Sequence, residues 1–135
     1  MKKLPSLLLA FQALCFSTAD ASETATPELE HIGLPHAFSA GWEGKDTCEI
    51  LFEDENNIVG RCVFPPGVGH EKHYHNPHFG YVLEGGTLSM TDSSGTRQVT
   101  TVPGASWTTT TRTVHEAINT GQTTTSYLIV EPRAR

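Results

Sequence analysis

Three histidines fall in one six-residue run, His73-Tyr74-His75-Asn76-Pro77-His78, and another stands at 115 in Val114-His115-Glu116-Ala117. On an extended strand, residues two apart project to the same side, so His73 and His75 can offer two imidazoles to one ion. Seven histidines in 135 residues, three of them between 73 and 78, exceed what surface decoration requires. The expectation is one divalent transition metal held by His73, His75, His78 and His115. The plainer alternatives are a histidine-rich loop that takes up metal adventitiously, or core histidines satisfied by backbone groups. His31 and His36 lie in or beside a polar stretch and read as solvated.

Ligands so far apart in the chain need strands to gather them. From Asp46 onward, short runs rich in Val, Ile, Thr, Phe and Tyr alternate with turn clusters, and no stretch has a helical period. Breaks are expected at Asp54 to Asn57, Pro65 to Gly69, Asn76-Pro77, Gly85-Gly86, Asp92 to Gly95, Pro103-Gly104 and Asn119 to Gln122. The pattern is all-β, a sandwich or small barrel. Tyr74, Tyr81, Trp107 and Tyr127 belong to the core or line a pocket.

One hairpin is legible residue by residue. Folding about Glu55 sets Cys48 against Cys62, Ile50 against Gly60 and Phe52 against Ile58 on one apolar face. Glu49 then faces Arg61 and Leu51 faces Val59 on the other. This register allows a Cys48–Cys62 disulfide, with two buried free thiols as the alternative.

The chain has 9 Lys and Arg against 15 Asp and Glu, a net charge of −6, and a length suited to one domain. Lys2 and Lys3, the apolar run from Leu4 to Phe16 and Ala19-Asp20-Ala21 have the form of a secretory signal peptide over residues 1–21, shorter than a membrane span. Its removal leaves an exported chain, periplasmic or secreted, with no membrane partner and one further negative charge. Nucleic acid is excluded as a partner, because phosphate binding needs a concentrated basic surface. A small molecule is the expected one. Residues 22–40 read as an N-terminal arm, polar to about Pro35, and 41–135 as the folded domain.

From about Gly41 to Pro132 the sequence resembles the cupin superfamily. That family's first motif is Gly, five residues, His-x-His, three or four residues, Glu, six residues and Gly. Here Gly67 stands five residues before His73-Tyr74-His75, and the interval back from Gly85 falls on His78 where Glu is usual. The second motif is Gly, five residues, Pro-x-Gly, two residues, His, three residues and Asn. Gly104, His115 and Asn119 match it, with Thr110 and Arg112 replacing its Pro and second Gly.

The resemblance implies a small antiparallel β-barrel, or jelly-roll double-stranded β-helix, around one metal: Fe, Ni, Cu, Zn or Mn. It implies a metal-dependent enzyme, dioxygenase-like or a Lewis-acid isomerase or lyase, acting on a small oxygenated molecule, with a non-catalytic binding module as the other class. With His78 in place of Glu, four neutral imidazoles would leave the ion's charge uncompensated. Glu71 shares strand parity with His73 and His75 and is a candidate base or orienting group. Arg112 is a candidate partner for a substrate carboxylate. A homodimer is expected, since cupins often pair through their outer sheets.

Overall fold

The structure, a computed structural model, describes residues 33–133. The expected leader and His31 lie outside the described residues. Eleven strands follow in chain order: β1 (Gly41–Trp42), β2 (Lys45–Asp46), β3 (Cys48–Glu53), β4 (Asn57–Phe64), β5 (Gly69–His75), β6 (His78–Glu84), β7 (Thr87–Asp92), β8 (Gly95–Thr100), β9 (Ser106–Thr109), β10 (Thr113–Asn119) and β11 (Thr125–Pro132). Apart from the small β1–β2 ribbon they form two antiparallel sheets, β5-β10-β7-β8 and β3-β4-β11-β6-β9. This is a jelly-roll sandwich and not a closed barrel; β8 and β9 are edges of different sheets.

Every expected break falls between strands, because the turn residues act locally. Asp54 Oδ1 accepts from the N–H groups of Asn56 and Asn57 at 2.8 and 2.7 Å. Gly67 and Gly95 take the positive φ of 79° and 112° that side chains disfavour. Buried Asn119 closes the β10 end, donating from Nδ2 to the Phe64 and Thr123 carbonyls and accepting from Gly121 N–H at Oδ1. The break at Thr110 to Arg112 carries neither Gly nor Pro and gives no turn signal.

The core between the sheets is Cys62, Phe64, Leu88, Tyr127 and Ile129; burial of each large apolar side chain contributes about 1.5–3 kcal/mol. Cys48 and Cys62 face each other and form a disulfide. The hairpin register holds at Cys48–Cys62, Glu49–Arg61 and Ile50–Gly60, then shifts: a bulge pairs Phe52 with Val59 and Glu53 with Ile58. The expected apolar face of β3 is not buried: Ile50, whose pairing is as expected, is 51% exposed, and Leu51 and Phe52 are 51% and 53% exposed. On the outer face of β6, Phe79, Tyr81 and Leu83 are exposed too.

The end of the arm packs against the folded domain. Ala37 and Ala40 are fully buried, Phe38 packs over Gly60, and His36 bridges to Tyr74 of β5. His36 is not a solvated side chain: its Nε2 lies 2.8 Å from Glu131 Oε2 and its ring meets Tyr74 edge-on. The arm thus closes the sandwich beside the histidine cluster.

Candidate metal centre

β5 alternates, so His73 and His75 point between the sheets, and both are buried. β10 runs antiparallel with His115 directly opposite His73. One nitrogen from each of His73, His75 and His115 lies within 4.8 Å of the others, and the ring centroids are 4.7 to 5.1 Å apart. Two strands distant in sequence thus bring three imidazoles to one point.

The proton positions follow from the partners. His73 Nδ1 lies 2.6 Å from the Glu71 carbonyl, which can only accept, so Nδ1 carries the hydrogen and Nε2 a lone pair. His75 Nδ1 faces Glu131 Oε1 at 3.5 Å, the outer limit of a hydrogen bond, and neither atom has another partner among the described residues. A proton on that nitrogen leaves His75 Nε2 with a lone pair as well. The two Nε2 atoms are 3.0 Å apart. Lone pairs facing at that distance repel unless a cation lies between them, and unprotonated imidazole nitrogens are donors that such a cation would take. The donor set fits a divalent transition metal.

Protonation is no alternative way to join them. Burial lowers the pKa of His73, aided by repulsion from His70, His115 and His75. Burial likewise lowers His75, against the pull of Glu131, and holds His115 at about 3. The ligands are neutral at ordinary pH, the state in which imidazole binds metal.

His78, first residue of β6, sits beside His75 with ring centroids 4.6 Å apart but outside the nitrogen group of His73, His75 and His115. Its Nδ1 faces the Asn76 carbonyl at 2.8 Å, so its Nε2 accepts, and it takes the Trp107 indole N–H at 3.1 Å. Trp107 can reach it because Gly80, its partner across β6 and β9, has no side chain; a Cβ there would meet the indole at 2.1 Å. His78 instead groups with His75 and Glu131.

The two expected catalytic residues lie elsewhere. β5 carries a bulge opposite Glu116, so that His73 pairs with His115 but His70, not Glu71, faces the Ala117 position. The extra residue reverses parity: Glu71 and Lys72 are exposed, and Glu71 Oε1 accepts from Gly41 N–H at 2.9 Å. Arg112 donates to Asn76 Oδ1 from Nε and Nη2 at 3.3 and 3.1 Å, and its guanidinium lies 5.4 Å from the centre of the Tyr74 ring. Of the aromatic candidates, Trp107 and Tyr127 line a cavity beside the histidines, while Tyr81 is exposed.

Two residues escaped the sequence reading. His70 is fully buried with its ring centroid 3.8 Å from that of His73, Nε2 on the Ala37 carbonyl and Nδ1 without a hydrogen-bond partner among the described residues; burial lowers its pKa to about 4. Glu131 is buried on β11, at the third inward position of the alternation Tyr127, Ile129, Glu131. Burial pushes its carboxyl up, but contacts from His36 and His75 outweigh this and hold it at about 2. The imidazoles thus have one ionised carboxylate behind them. That alternation was the available signal for Glu131.

A cavity of about 370 Å³ lies against His75, His78 and His115. His115 is only half-buried, so the cluster is accessible from the cavity.

The family described as "Cupin domain" matches residues 60–131, more than half of the chain. Among solved structures, a cupin domain from Bordetella pertussis Tohama I is 23% identical with a TM-score of 0.61, over 64% of this chain and 92% of that one. The polyketide cyclase RemF from Streptomyces resistomycificus is 18% identical with a TM-score of 0.54, over 78% of each chain. A cupin superfamily protein from Desulfitobacterium hafniense DCB-2 is 12% identical with a TM-score of 0.50, over 64% of this chain and 76% of that one. At these identities the likeness is one of fold. No curated protein matches the chain significantly.

Proposed function

The chain belongs to the cupin family, and from that premise we propose that it is a metal-dependent enzyme transforming a small organic molecule in the cavity between its sheets. The observation that carries this is the pair of buried Nε2 atoms of His73 and His75 3.0 Å apart, joined by His115 on the cavity wall. His73, His75 and His115 would hold the ion, which supplies Lewis acidity or, if redox-active, electron transfer. Glu131 orients His75 through Nδ1 and supplies the negative charge that the histidines lack. The Glu71 carbonyl fixes His73 in the same way. His78 and Trp107, bonded to each other, shape the cavity wall beside the ligands.

A storage site would close its ligand shell, whereas here the ligand cluster borders a cavity, which favours catalysis over sequestration. That one structural neighbour is a polyketide cyclase supports small-molecule chemistry in such a fold. The Cys48–Cys62 disulfide supports an oxidising compartment, in keeping with export.

Elemental analysis of the purified protein tests the reading. About one transition-metal ion per chain is expected for wild type and almost none for His73→Ala or His115→Ala. Equal metal content in all three would sink the proposal. Turnover of small oxygenated compounds that depends on this ion separates the enzyme from a binding module.

A further inference from the structure

The walls of the cavity beside His75 and His115 are apolar. Val82 and Trp107 come from the five-stranded sheet, Leu88 and Met90 from the four-stranded sheet, and Val99 and Val102 from β8 and the segment after it. Among the described residues no carboxylate lines the cavity, and the one permanent cation that does, Arg97, is ion-paired with Asp92. Ala117, inward-facing and two residues beyond His115, leaves open a space that a larger side chain would occupy. Apart from the imidazoles and Arg97, the lining offers only a few hydroxyls, those of Thr100, Thr101, Ser106 and Tyr127, and the Trp107 N–H is already directed at His78.

We infer that the cavity takes a predominantly apolar small molecule: an aromatic or alicyclic body carrying one or two oxygen donors that face the imidazoles. Sugars, sugar phosphates and other polyhydroxylated or polyanionic compounds are excluded. Each hydroxyl set against Val82 or Leu88 without a partner forfeits its water hydrogen bonds, a loss of roughly tenfold or more in affinity. A phosphate would meet no basic cluster, only Arg97 already paired. The volume, about 370 Å³, lies at the lower end of the ~300–1,000 Å³ typical of ligand pockets and suits a body the size of two fused rings. The inference deepens the proposed function and rests on it only for the direction in which the oxygen points.

Calorimetric titration with 1-naphthol, against glucose 6-phosphate, tests this on metal-free and zinc-loaded full-length protein. Saturable naphthol binding by both forms, at least tenfold tighter than glucose 6-phosphate, is expected, together with weakening of about tenfold or more by Val99→Asp. Should that variant fail to fold, shifts of the Leu88, Met90 and Val99 methyl resonances of wild-type protein on adding naphthol decide the same question. Absence of naphthol binding, preference for the sugar phosphate, or binding that leaves those methyls unmoved overturns the inference even where zinc binds normally. Naphthol binding by a protein that takes up no metal supports the cavity's selectivity while overturning the metal-dependent reading.

Discussion

Replacing Glu131 by Gln probes the orientation of the candidate metal centre with almost no change in volume. His36 Nδ1 lies 3.2 Å from the Phe38 N–H and accepts from it, so His36 Nε2 carries a hydrogen and donates to Glu131 Oε2 at 2.8 Å. His75 Nδ1 approaches the other oxygen, Oε1, at 3.5 Å. The carboxylate accepts at both ends; an amide accepts at only one. The shorter contact, reinforced by Asn76 Nδ2 at 3.4 Å, draws the amide oxygen to the His36 side and leaves an NH₂ facing His75 Nδ1. His75 then relieves the clash by moving its proton to Nε2, the atom whose lone pair the metal requires.

A hydrogen bond to a charged group contributes about 1.5–3 kcal/mol, and loss of a group orienting a metal-bound histidine typically weakens binding by 10–100-fold. The expected result for Glu131→Gln is therefore a zinc affinity lower by about 10–100-fold, about 1.4–2.7 kcal/mol. The assay is competition with a chromophoric chelator at neutral pH, with circular dichroism establishing that the variant is folded. A folded Glu131→Gln protein whose zinc affinity stays within about twofold of wild type would refute the proton assignment and Glu131's orienting role.

Other outcomes follow from the same structure. Glu71→Gln should leave zinc affinity unchanged, because Glu71 reaches Gly41 N–H and not the imidazoles; a loss of about tenfold or more, in the same competition assay, would restore it to the site. Reducing the Cys48–Cys62 disulfide, which spans 14 residues, should lower unfolding free energy by about 3 kcal/mol, measured by denaturation with and without reductant; coincident curves would speak against a structural bridge. The metal-free protein should lose stability on acidification. His70 and His115 have folded pKa values of about 4 and 3, below the unfolded value of 6.5, so the unfolded chain binds more protons below pH 6.5. Stability then falls by about 1.4 kcal/mol per pH unit for each, from 6.5 towards 4. His73 and His75 are lowered as well and act in the same direction. A urea midpoint that does not move between pH 7 and pH 5 would contradict this.

What could be read from the sequence and what could not divide along the range of the interactions. Turns such as Asp54 to Asn57 and Asp92 to Gly95 are made by side chains bonding the backbone two or three residues away, so composition alone locates them. His73 and His75 are two apart on one strand, and the pleat puts them together whatever their neighbours do. Parity failed at the first bulge. The extra residue at Glu71 and Lys72 becomes visible only once β5 is laid against β10, because a bulge is a property of the pair of strands. The same holds at Leu51, where β3 slips against β4.

Glu131 was harder still, since its role depends on His36, 95 residues earlier, which stands at the end of a lead-in stretch with no periodic pattern to place it. A Glu beside Pro132 and Arg133 near the chain end has the appearance of a solvated residue. This changes the electrostatics expected of the site. A cluster of neutral imidazoles would leave the charge of a divalent ion uncompensated, but the folded chain sets an ionised carboxylate directly behind one of them, screened from water on β11. The negative charge that the cupin motif carries in its Glu is here delivered from a different strand and through a histidine. The field at the ligands therefore includes one unit of compensation that the motif residues themselves do not carry.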